Sequence, residues 1–397
     1  MKILVINAGS STLKFQLMNT DANKVEAKGN VERINEGKSF LRYKANGKET
    51  IVNDDIKNHK QAMELVLKYL TDAEVGVIKS VNEIDAFGHR FVNAGEKYFD
   101  PCIITEEVLN DFRNSIDFAP IHIPGGIAGI EGAMAVCPNT PNVAVFDIGF
   151  HKYIPEYAYR YAIPKKYYDE YRIRRFGFHG ASHYFVTNKC AELMGKNVED
   201  LKIITCHLGS GASISAVKGG HSVDTSMGFT PLEGIMMNTR SGDLDPAIVE
   251  FICKKEGKTV SEVLNILNKQ SGLIGANGVC SDMREILENL DNEDVKRSLD
   301  MYNYRIKKYI GSYAAVLNGV DAIVFTAGVG EHTPEVREAV TNDMDYLGIK
   351  VDHDKNWTAP RGEICEISAE DSKVKVFIIP TDEEYVIAKE TEKLIQK

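Results

Sequence analysis

The chain has 397 residues, which at about 150 residues per domain predicts two or three domains. Its 47 basic and 57 acidic residues leave a formal net charge of −10, a balance that excludes a coat for nucleic acid or for an anionic membrane but leaves room for a local basic pocket. With 43% hydrophobic and 26% charged residues the composition is globular, so collagenous, disordered and coiled-coil classes fall away.

From the start of the chain, Lys2–Asn7 (KILVIN) is a short apolar run that ends at Gly9-Ser10-Ser11. Its apolar stretch is too short for the hydrophobic core of a signal peptide. Leu13–Met18 alternates and reads as the return strand of a hairpin. Glu26–Thr50 is polar, alternating and punctuated by glycine, which predicts more short strands. Lys60–Leu70 (KQAMELVLKYL) carries apolar residues at 63, 66, 67 and 70, a helical period. Ala86–Val92 and Asn142–Asp147 read as buried strands. A domain break is expected near Asp147–Pro155. Glu192–Leu201 reads as a polar connection, followed by a strand at Leu201–Cys206, a Gly209-Ser210-Gly211 turn and a return strand at Ala212–Val217. Arg305–Val316 reads as a helix, Ala322–Thr326 and Lys375–Ile379 as strands, and Glu383–Gln396 as a last helix. No stretch approaches the ~20 apolar residues of a membrane span. The seven cysteines (Cys102, Cys137, Cys190, Cys206, Cys253, Cys280, Cys365) are odd in number and form no C-x-x-C pair, so reduced thiols in a cytosolic protein are expected.

One internal echo stands out. VINAGSSTLKFQL (5–17) and CHLGSGASISAV (206–217) are both strand, Gly-Ser turn, strand. Such turns expose backbone N–H groups that a phosphate can approach, although each alone is also what any tight hairpin needs. Further on, Ala322–Thr326 runs into Gly328-Val329-Gly330-Glu331, read as a glycine-rich turn before a helix that starts near Pro334. Neither G-x-G-x-x-G nor a P-loop occurs anywhere in the chain. Asp147 sits at the carboxyl end of an apolar strand, where open α/β sheets place reacting or metal-holding groups and where a turn Asp is equally at home. Arg174–His183 (RRFGFHGASH) puts His179 and His183 four apart. Zinc would want a third ligand that is not evident, so anion donation by His179 and a capping or packing role for His183 are the stronger readings. Ser222–Pro246 is dense in Gly, Ser, Thr and Asp around Arg240, which suits a long surface loop or a cleft wall with an anion-binding guanidinium. Arg90 ends another strand in the same way. Glu383 and Glu384 follow the last strand, where acidic residues commonly complement a helix dipole.

Taken in order, INAGSSTLKF, GHR at 88–90, VAVFD, RRFGFHGASH, DTSMGFTPLEG with MMNTRSGDLDP, SGLIGANGVCSDMRE, FTAGVGE and IPTDEE resemble the acetokinase family of short-chain carboxylate kinases over essentially the full length. That resemblance implies an α/β chain with the duplicated ribonuclease-H-like fold of actin, Hsp70 and sugar kinases, two domains and an interdomain cleft. It implies an N-terminal domain over 1–150, with a C-terminal helix at about 384–397 packing back on it, and a nucleotide-binding domain over 151–383. The implied reaction is reversible transfer of the ATP γ-phosphoryl group to a short carboxylate, with Mg2+ (or Mn2+), no nucleic-acid or membrane partner, a cytoplasmic location and a homodimer. By the same resemblance Arg90 and Arg240 hold the acid and the moving phosphoryl group, His179 donates to that group, and Asp147 orients or activates the carboxylate. Asn7, Ser10, Thr12 and Lys14 on the first hairpin, and His207, Gly209, Ser210 and Gly211 on the second, approach the phosphates. Glu383 and Asn7 match the magnesium site. Asp282, Arg284, Gly328, Gly330 and Glu331 would border the adenosine. Val92, Ile121, Phe178 and Pro231 match the apolar pocket for the acid, and His122 a histidine near it.

The chain departs from the family pattern at Asn93-Ala94 (for His-Gly), Ile123 (for Asn), Gly125-Gly126 (for Ala-Asn), Ile148-Gly149 (for Thr-Ala), Ser210 (for Asn), Asn238 (for Gly) and Asp382 (for Asn). These changes bear on the choice of acid and of phosphoryl donor. Acetate is the first expectation and propionate the alternative, since one methylene is worth only ~1–3 kcal/mol in an apolar pocket. A non-catalytic nucleotide-binding sensor of the same fold is the rival from another class. A sugar kinase would want a larger polar pocket than Val92, Phe178 and Pro231 suggest.

Overall fold

The computed structural model describes residues 1–120 and 122–396. They form two compact units, Met1–Gly149 with Asp382–Lys397, and Phe150–Thr381.

The first unit is built on eight strands: β1 (Lys2–Ala8), β2 (Thr12–Asn19), β3 (Lys24–Glu32), β4 (Ser39–Ala45), β5 (Lys48–Asp54), β6 (Ala86–Phe91), β7 (Cys102–Ile103) and β8 (Asn142–Phe146). Their order is β5-β4-β3-β2-β1-β6-β8-β7. From β5 to β1 the pairing is antiparallel, while β1–β6 and β6–β8 are parallel. Burial follows position. β1 and β8 are central and bury Ile3–Ile6 and Asn142–Phe146 without alternation, as strands covered on both faces do. β5 is an edge strand, largely exposed and charged, which blocks further strand addition.

Two helices set the first hairpin. His59–Leu70 is capped by Asn58 and buries Ala62, Met63, Val66, Leu67 and Leu70 at helical spacing. Beside it, Ile123–Val136 turns a glycine edge to β1. A Cβ on Gly129 would lie 2.5 Å from the Ala8 Cβ, and one on Gly125 2.5 Å from the Gly9 carbonyl carbon and 2.8 Å from the Ser10 nitrogen. Glycine costs a helix roughly 0.5–1 kcal/mol per residue. Here it lets the helix backbone press onto the Gly9–Ser10 turn. The last helix, Glu383–Ile395, lays Ile387 and Ala388 onto Ile3, Val5, Ala86, Val143 and Val145.

The second unit repeats the pattern with β9 (Lys202–Leu208), β10 (Ala212–Lys218), β11 (His221–Thr225), β12 (Ala322–Thr326), β13 (Cys365–Glu366) and β14 (Lys375–Ile378). The order is β11-β10-β9-β12-β14-β13. Here three antiparallel strands, in place of five, lead into two parallel pairings, β9–β12 and β12–β14. Each sheet therefore has an antiparallel run (five strands in the first sheet, three in the second) followed by two parallel neighbours and a short antiparallel edge strand. This is the duplicated ribonuclease-H-like fold. The Gly180–Met194 helix packs Val186, Cys190 and Ala191 against Ile203, Val217 and Val324. The long Glu293–Leu317 helix, capped by Asn292, buries Val295, Leu299, Tyr302, Ile306, Ile310, Tyr313 and Leu317.

Some sequence expectations need correction. Gly328-Val329-Gly330-Glu331 is not a turn but part of a helix, Ala327–His332, that starts directly after β12, and the turn residue is Ala327 at φ +64°. Neither glycine is required sterically: a Cβ on Gly328 would meet nothing within 4 Å, and one on Gly330 would make only ordinary contacts with the Phe325 and Cys206 backbone at 3.4 and 3.6 Å. Ser222–Pro246 is not a surface loop: it finishes β11, and Thr225–Gly228 and Gly234–Met237 are buried. The expected polar connection at 192–201 begins inside the Gly180–Met194 helix, and the helix read at 305–316 starts twelve residues earlier at Glu293. All seven cysteines are free thiols. No helix among the described residues is long and apolar enough to cross a membrane.

Candidate active site

In an open α/β sheet the carboxyl ends of parallel strands face the ligand. In the first unit those ends carry Asn7 on β1, Arg90 on β6 and Asp147 just after β8, on three adjacent strands. Arg90 donates both arms of its fork to Asp147, Nε to Oδ1 at 2.8 Å and Nη2 to Oδ2 at 2.6 Å. Asp147 is held in turn by its own backbone N–H, which donates to the Phe91 carbonyl. Glu383, the first residue of the last helix, places Oε2 3.9 Å from Arg90 Nε. Burial opposes the Arg90 charge, but Asp147 and Glu383 beside it hold its pKa above the ordinary value. Burial lifts the Glu383 pKa, Arg90 pulls it down, and Asp147 and Glu384 lift it again, leaving it at about 7. Beneath this group His89 is buried against the Asn142 Oδ1 at 2.7 Å, and burial pushes its pKa down to about 4, so it is a neutral strut.

On the first hairpin Lys14 pairs with Asn7 across β1–β2 and is exposed, as is Ser10, while Thr12 opens β2 and its carbonyl accepts from Gly9 N. Val92 is half-buried next to Phe91. Asn93 is fully buried. Its Oδ1 accepts from the Gly95 N–H at 2.8 Å, and its Nδ2 has no partner among the described residues. His122 is the N-cap residue of the Ile123–Val136 helix. Ile121 lies outside the described residues.

The second unit brings together a different set. His179 has φ +56°, uncommon for a residue with a side chain, and caps the Gly180–Met194 helix. Strain of this kind gathers at functional sites. The carbonyl before it, on Phe178, accepts from His151 Nε2 at 2.9 Å. The His179 ring stacks on His207, with centroids 4.1 Å apart and planes 18° apart. Arg240 comes to the same place. A Cβ on Gly211 would lie 3.3 Å from Arg240 Nη1 and 3.7 Å from His179 Nε2, so both donors border the space over that glycine. Arg240 donates to the Pro231 carbonyl at 3.3 Å and forms no ion pair among the described residues. Burial lowers its pKa with no carboxylate beside it to offset that cost. A half-buried guanidinium without a counter-ion, next to a histidine and an open glycine hairpin, is a site for an anion.

The remaining expected residues are more scattered. Ser210 is exposed at the tip of the β9–β10 hairpin, and its carbonyl accepts weakly from Asn238 N at 3.4 Å. Gly209 keeps its Cα within reach of Ala327, where a Cβ would be 3.6 Å from the alanine Cβ. Gly328, Gly330 and Glu331 lie on the helix after β12. Asp282 and Arg284 open another helix and spend their charges on each other, Nη2 to Oδ2 at 2.7 Å. Phe178 is buried in the second unit, and Pro231 is half-buried there.

Comparison with known proteins gives the family. The family model described as the acetokinase family matches residues 2–389. The chain belongs to the acetokinase family. It is 53% identical to an acetate kinase of Caldanaerobacter subterraneus subsp. tengcongensis over 100% of this chain and 99% of that one. Among solved structures it is similar to the acetate kinase of Porphyromonas gingivalis (TM-score 0.94, 43% identity, 100% of both chains) and to a propionate kinase from Francisella tularensis (TM-score 0.91, 35% identity, 98% of both). Acetokinases carry ATP and a carboxylate through phosphoryl transfer, which asks of the protein the two things its units offer: carboxylate-bearing strand ends with a fixed arginine, and a half-buried arginine beside a histidine with no ion pair among the described residues.

Several residues of these groups were not singled out from sequence. Ser213 lies between His179 Nδ1 and His183 Nε2, and Thr205 lies against His183 Nδ1. The signal was present as Thr205/His207 and Ser213/Ser215, polar residues at period two in strands otherwise apolar, on facing positions of β9 and β10.

Proposed function

We propose that the protein transfers the γ-phosphoryl group of ATP directly to acetate, giving acetyl phosphate and ADP, and catalyses the reverse reaction. One observation carries the reading: Arg240, half-enclosed and without a carboxylate, borders the space over Gly211 together with His179 Nε2. Acetate is ionised at pH 7, so its oxygen can attack phosphorus without a strong base. As that bond forms, the bond from phosphorus to the β–γ bridging oxygen breaks and its electrons stay on ADP. The work left to the protein is to bring two anions together and neutralise the charge in flight. Arg240 and His179 are the donors to the phosphoryl oxygens. Arg90 holds the acid. Both Asp147 oxygens are engaged by Arg90, so Asp147 acts by orienting that fork rather than by taking a proton. Asn7, Ser10, Thr12 and Lys14, with His207, Gly209, Ser210 and Gly211, receive the phosphates. Asp282, Arg284, Gly328, Gly330 and Glu331 receive the adenosine. Val92, Phe178 and Pro231 receive the methyl group.

Mg2+ fits the first unit. It is commonly bound by one or two carboxylates together with phosphate oxygens, so a cluster of three protein ligands is not required. Glu383, whose pKa is raised chiefly by burial and further by Asp147 and Glu384 against the pull of Arg90, is a carboxylate that a nearby cation would stabilise, and with Asn7 it would hold the ion. The ion supplies charge neutralisation on the phosphate oxygens. Protons and metal then compete for Glu383. The Mg2+ concentration for half-maximal rate should rise several-fold between pH 8 and pH 6, and Glu383→Gln should raise it at both values and flatten the dependence. A wild-type Mg2+ requirement that does not change with pH would remove Glu383 from the metal site.

Propionate is the second acid to consider, favoured by the likeness to the Francisella tularensis propionate kinase. Domains at 1–150 and 151–383, with the last helix on the first, are part of the proposal and are supported by the two compact units. So are a homodimer and a cytoplasmic location, which rest on the family resemblance. A further test of the phosphoryl site is Gly211→Ala. No positive φ is required at Gly211, so the fold should persist, while the new methyl, 3.3 Å from Arg240, displaces the guanidinium. The expected result is unchanged thermal stability with kcat down at least tenfold in a coupled ADP assay.

A further inference from the structure

The second unit holds a line of buried hydroxyls and imidazoles that ends at His179. Thr205 Oγ1 lies 2.7 Å from His183 Nδ1, His183 Nε2 lies 2.8 Å from Ser213 Oγ, and Ser213 Oγ lies 2.9 Å from His179 Nδ1. Thr205, His183 and Ser213 are completely buried. Each hydroxyl has one proton to donate, and each neutral imidazole one N–H and one acceptor nitrogen. Burial, with the His151 and His207 rings nearby, pushes the His183 pKa well below its ordinary value, so that ring is neutral.

The protons can be ordered in only one way that leaves none stranded. The Thr205 hydroxyl has no acceptor among the described residues other than His183 Nδ1, so it must donate there. His183 then carries its proton on Nε2 and donates it to Ser213. Ser213, having accepted, donates its own proton to His179 Nδ1. The reverse order strands the Thr205 proton, and a mixed order with both rings donating to Ser213 strands the Ser213 proton. A buried donor left without an acceptor costs about 1–3 kcal/mol.

We infer that Thr205, acting through His183 and Ser213, fixes His179 as the Nε2–H tautomer, so that its one N–H faces the space over Gly211 bordered by Arg240. Thr205 is thus a positioning residue two bonded groups removed from the reacting atoms. This inference rests on the proposed role of His179, but the tautomer is a property of the protein without substrate and can be read whether or not that role is right. It also explains why two buried strands place hydroxyls at 205 and 213 where the neighbouring Ile203, Ile204, Ala212 and Ile214 are apolar.

The test is long-range 1H–15N correlation on the full-length protein labelled with 15N-histidine, with the His179 signals assigned by their loss in His179→Gln. The wild-type protein should show a protonated Nε2 and an unprotonated Nδ1 at His179. Thr205→Val keeps the shape of the side chain but removes the group that sets the order: either order then leaves His183 Nδ1 unsatisfied, as acceptor or as donor, and the two become comparable. It should populate the Nδ1–H form of His179 and lower kcat in proportion to the Nε2–H fraction that remains, with the KM values for ATP and acetate within twofold of wild type. Thr205→Ser should restore both the spectrum and kcat. An Nδ1–H tautomer in the wild-type spectrum would overturn the inference, and so would a Thr205→Val spectrum unchanged at His179, whatever its kcat. A correct tautomer in a protein that makes no acyl phosphate would leave the inference standing and remove the proposed function instead.

Discussion

Replacing Arg240 with alanine is expected to lower kcat about 10^3-fold, roughly 4 kcal/mol of transition-state stabilisation, and to leave the fold unchanged. The size follows from what Arg240 lacks. It has no carboxylate partner, its burial lowers its pKa, and its polar contacts within the protein are the Pro231 carbonyl and the Met237 sulfur. A charge kept at that cost and satisfied so poorly by the protein is kept for an anion. Its removal strands no partner, so the midpoint of thermal unfolding should stay within about 2 °C of wild type. Arg240→Lys should recover only part of the rate, because an ammonium cannot present a planar fork. A steady-state assay in the acetyl-phosphate-forming direction measures the first effect and a thermal melt the second. Near-normal turnover in the alanine variant would dissolve the site.

Arg90→Ala should behave differently, and the contrast is informative. Arg90 commits Nε and Nη2 to Asp147, which is 3% exposed, and it also faces Glu383. Its loss leaves a buried carboxylate without its bidentate partner, a change worth about 3 kcal/mol in stability where the pair is buried. Both readouts should move: kcat/KM for acetate down at least 100-fold, and the melting midpoint down by several degrees. The stability loss should be largely repaired in Arg90→Ala/Asp147→Asn, since the amide no longer carries the stranded charge, while activity stays lost. If the double variant were as unstable as the single one, Asp147 would not be the group left stranded.

Much of the scaffold was legible because it rests on short-range pattern. Apolar runs such as KILVIN and NVAVF became central strands, and the matched Gly-Ser hairpins became β1–β2 and β9–β10. Arg90 and Asp147 were each visible at strand ends, but their bidentate pairing joins residues 57 positions apart and depends on β6 and β8 being parallel neighbours. The stretch after β12 was misread because glycines suggested a turn, whereas Ala327 makes the turn and the glycines enter a helix. Gly125 looked like a loss from the family pattern. Its reason is the Ser10 backbone 2.8 Å from where its Cβ would be, a contact between segments over 100 residues apart. His183 is packed, as a capping or packing role allows, between two buried hydroxyls, and nothing in the i, i+4 spacing from His179 tells that the bridge between the rings comes from β10.

The most direct measurement is a hydroxylamine trap for acyl phosphate, run with Mg2+-ATP on formate, acetate, propionate and butyrate. A strong hydroxamate signal with acetate, a comparable or weaker one with propionate, and its loss in Arg240→Ala is the expected result. ATP binding without hydroxamate from any of the four acids would contradict it, and would make the chain an acetokinase-family protein whose Arg240 serves another anion.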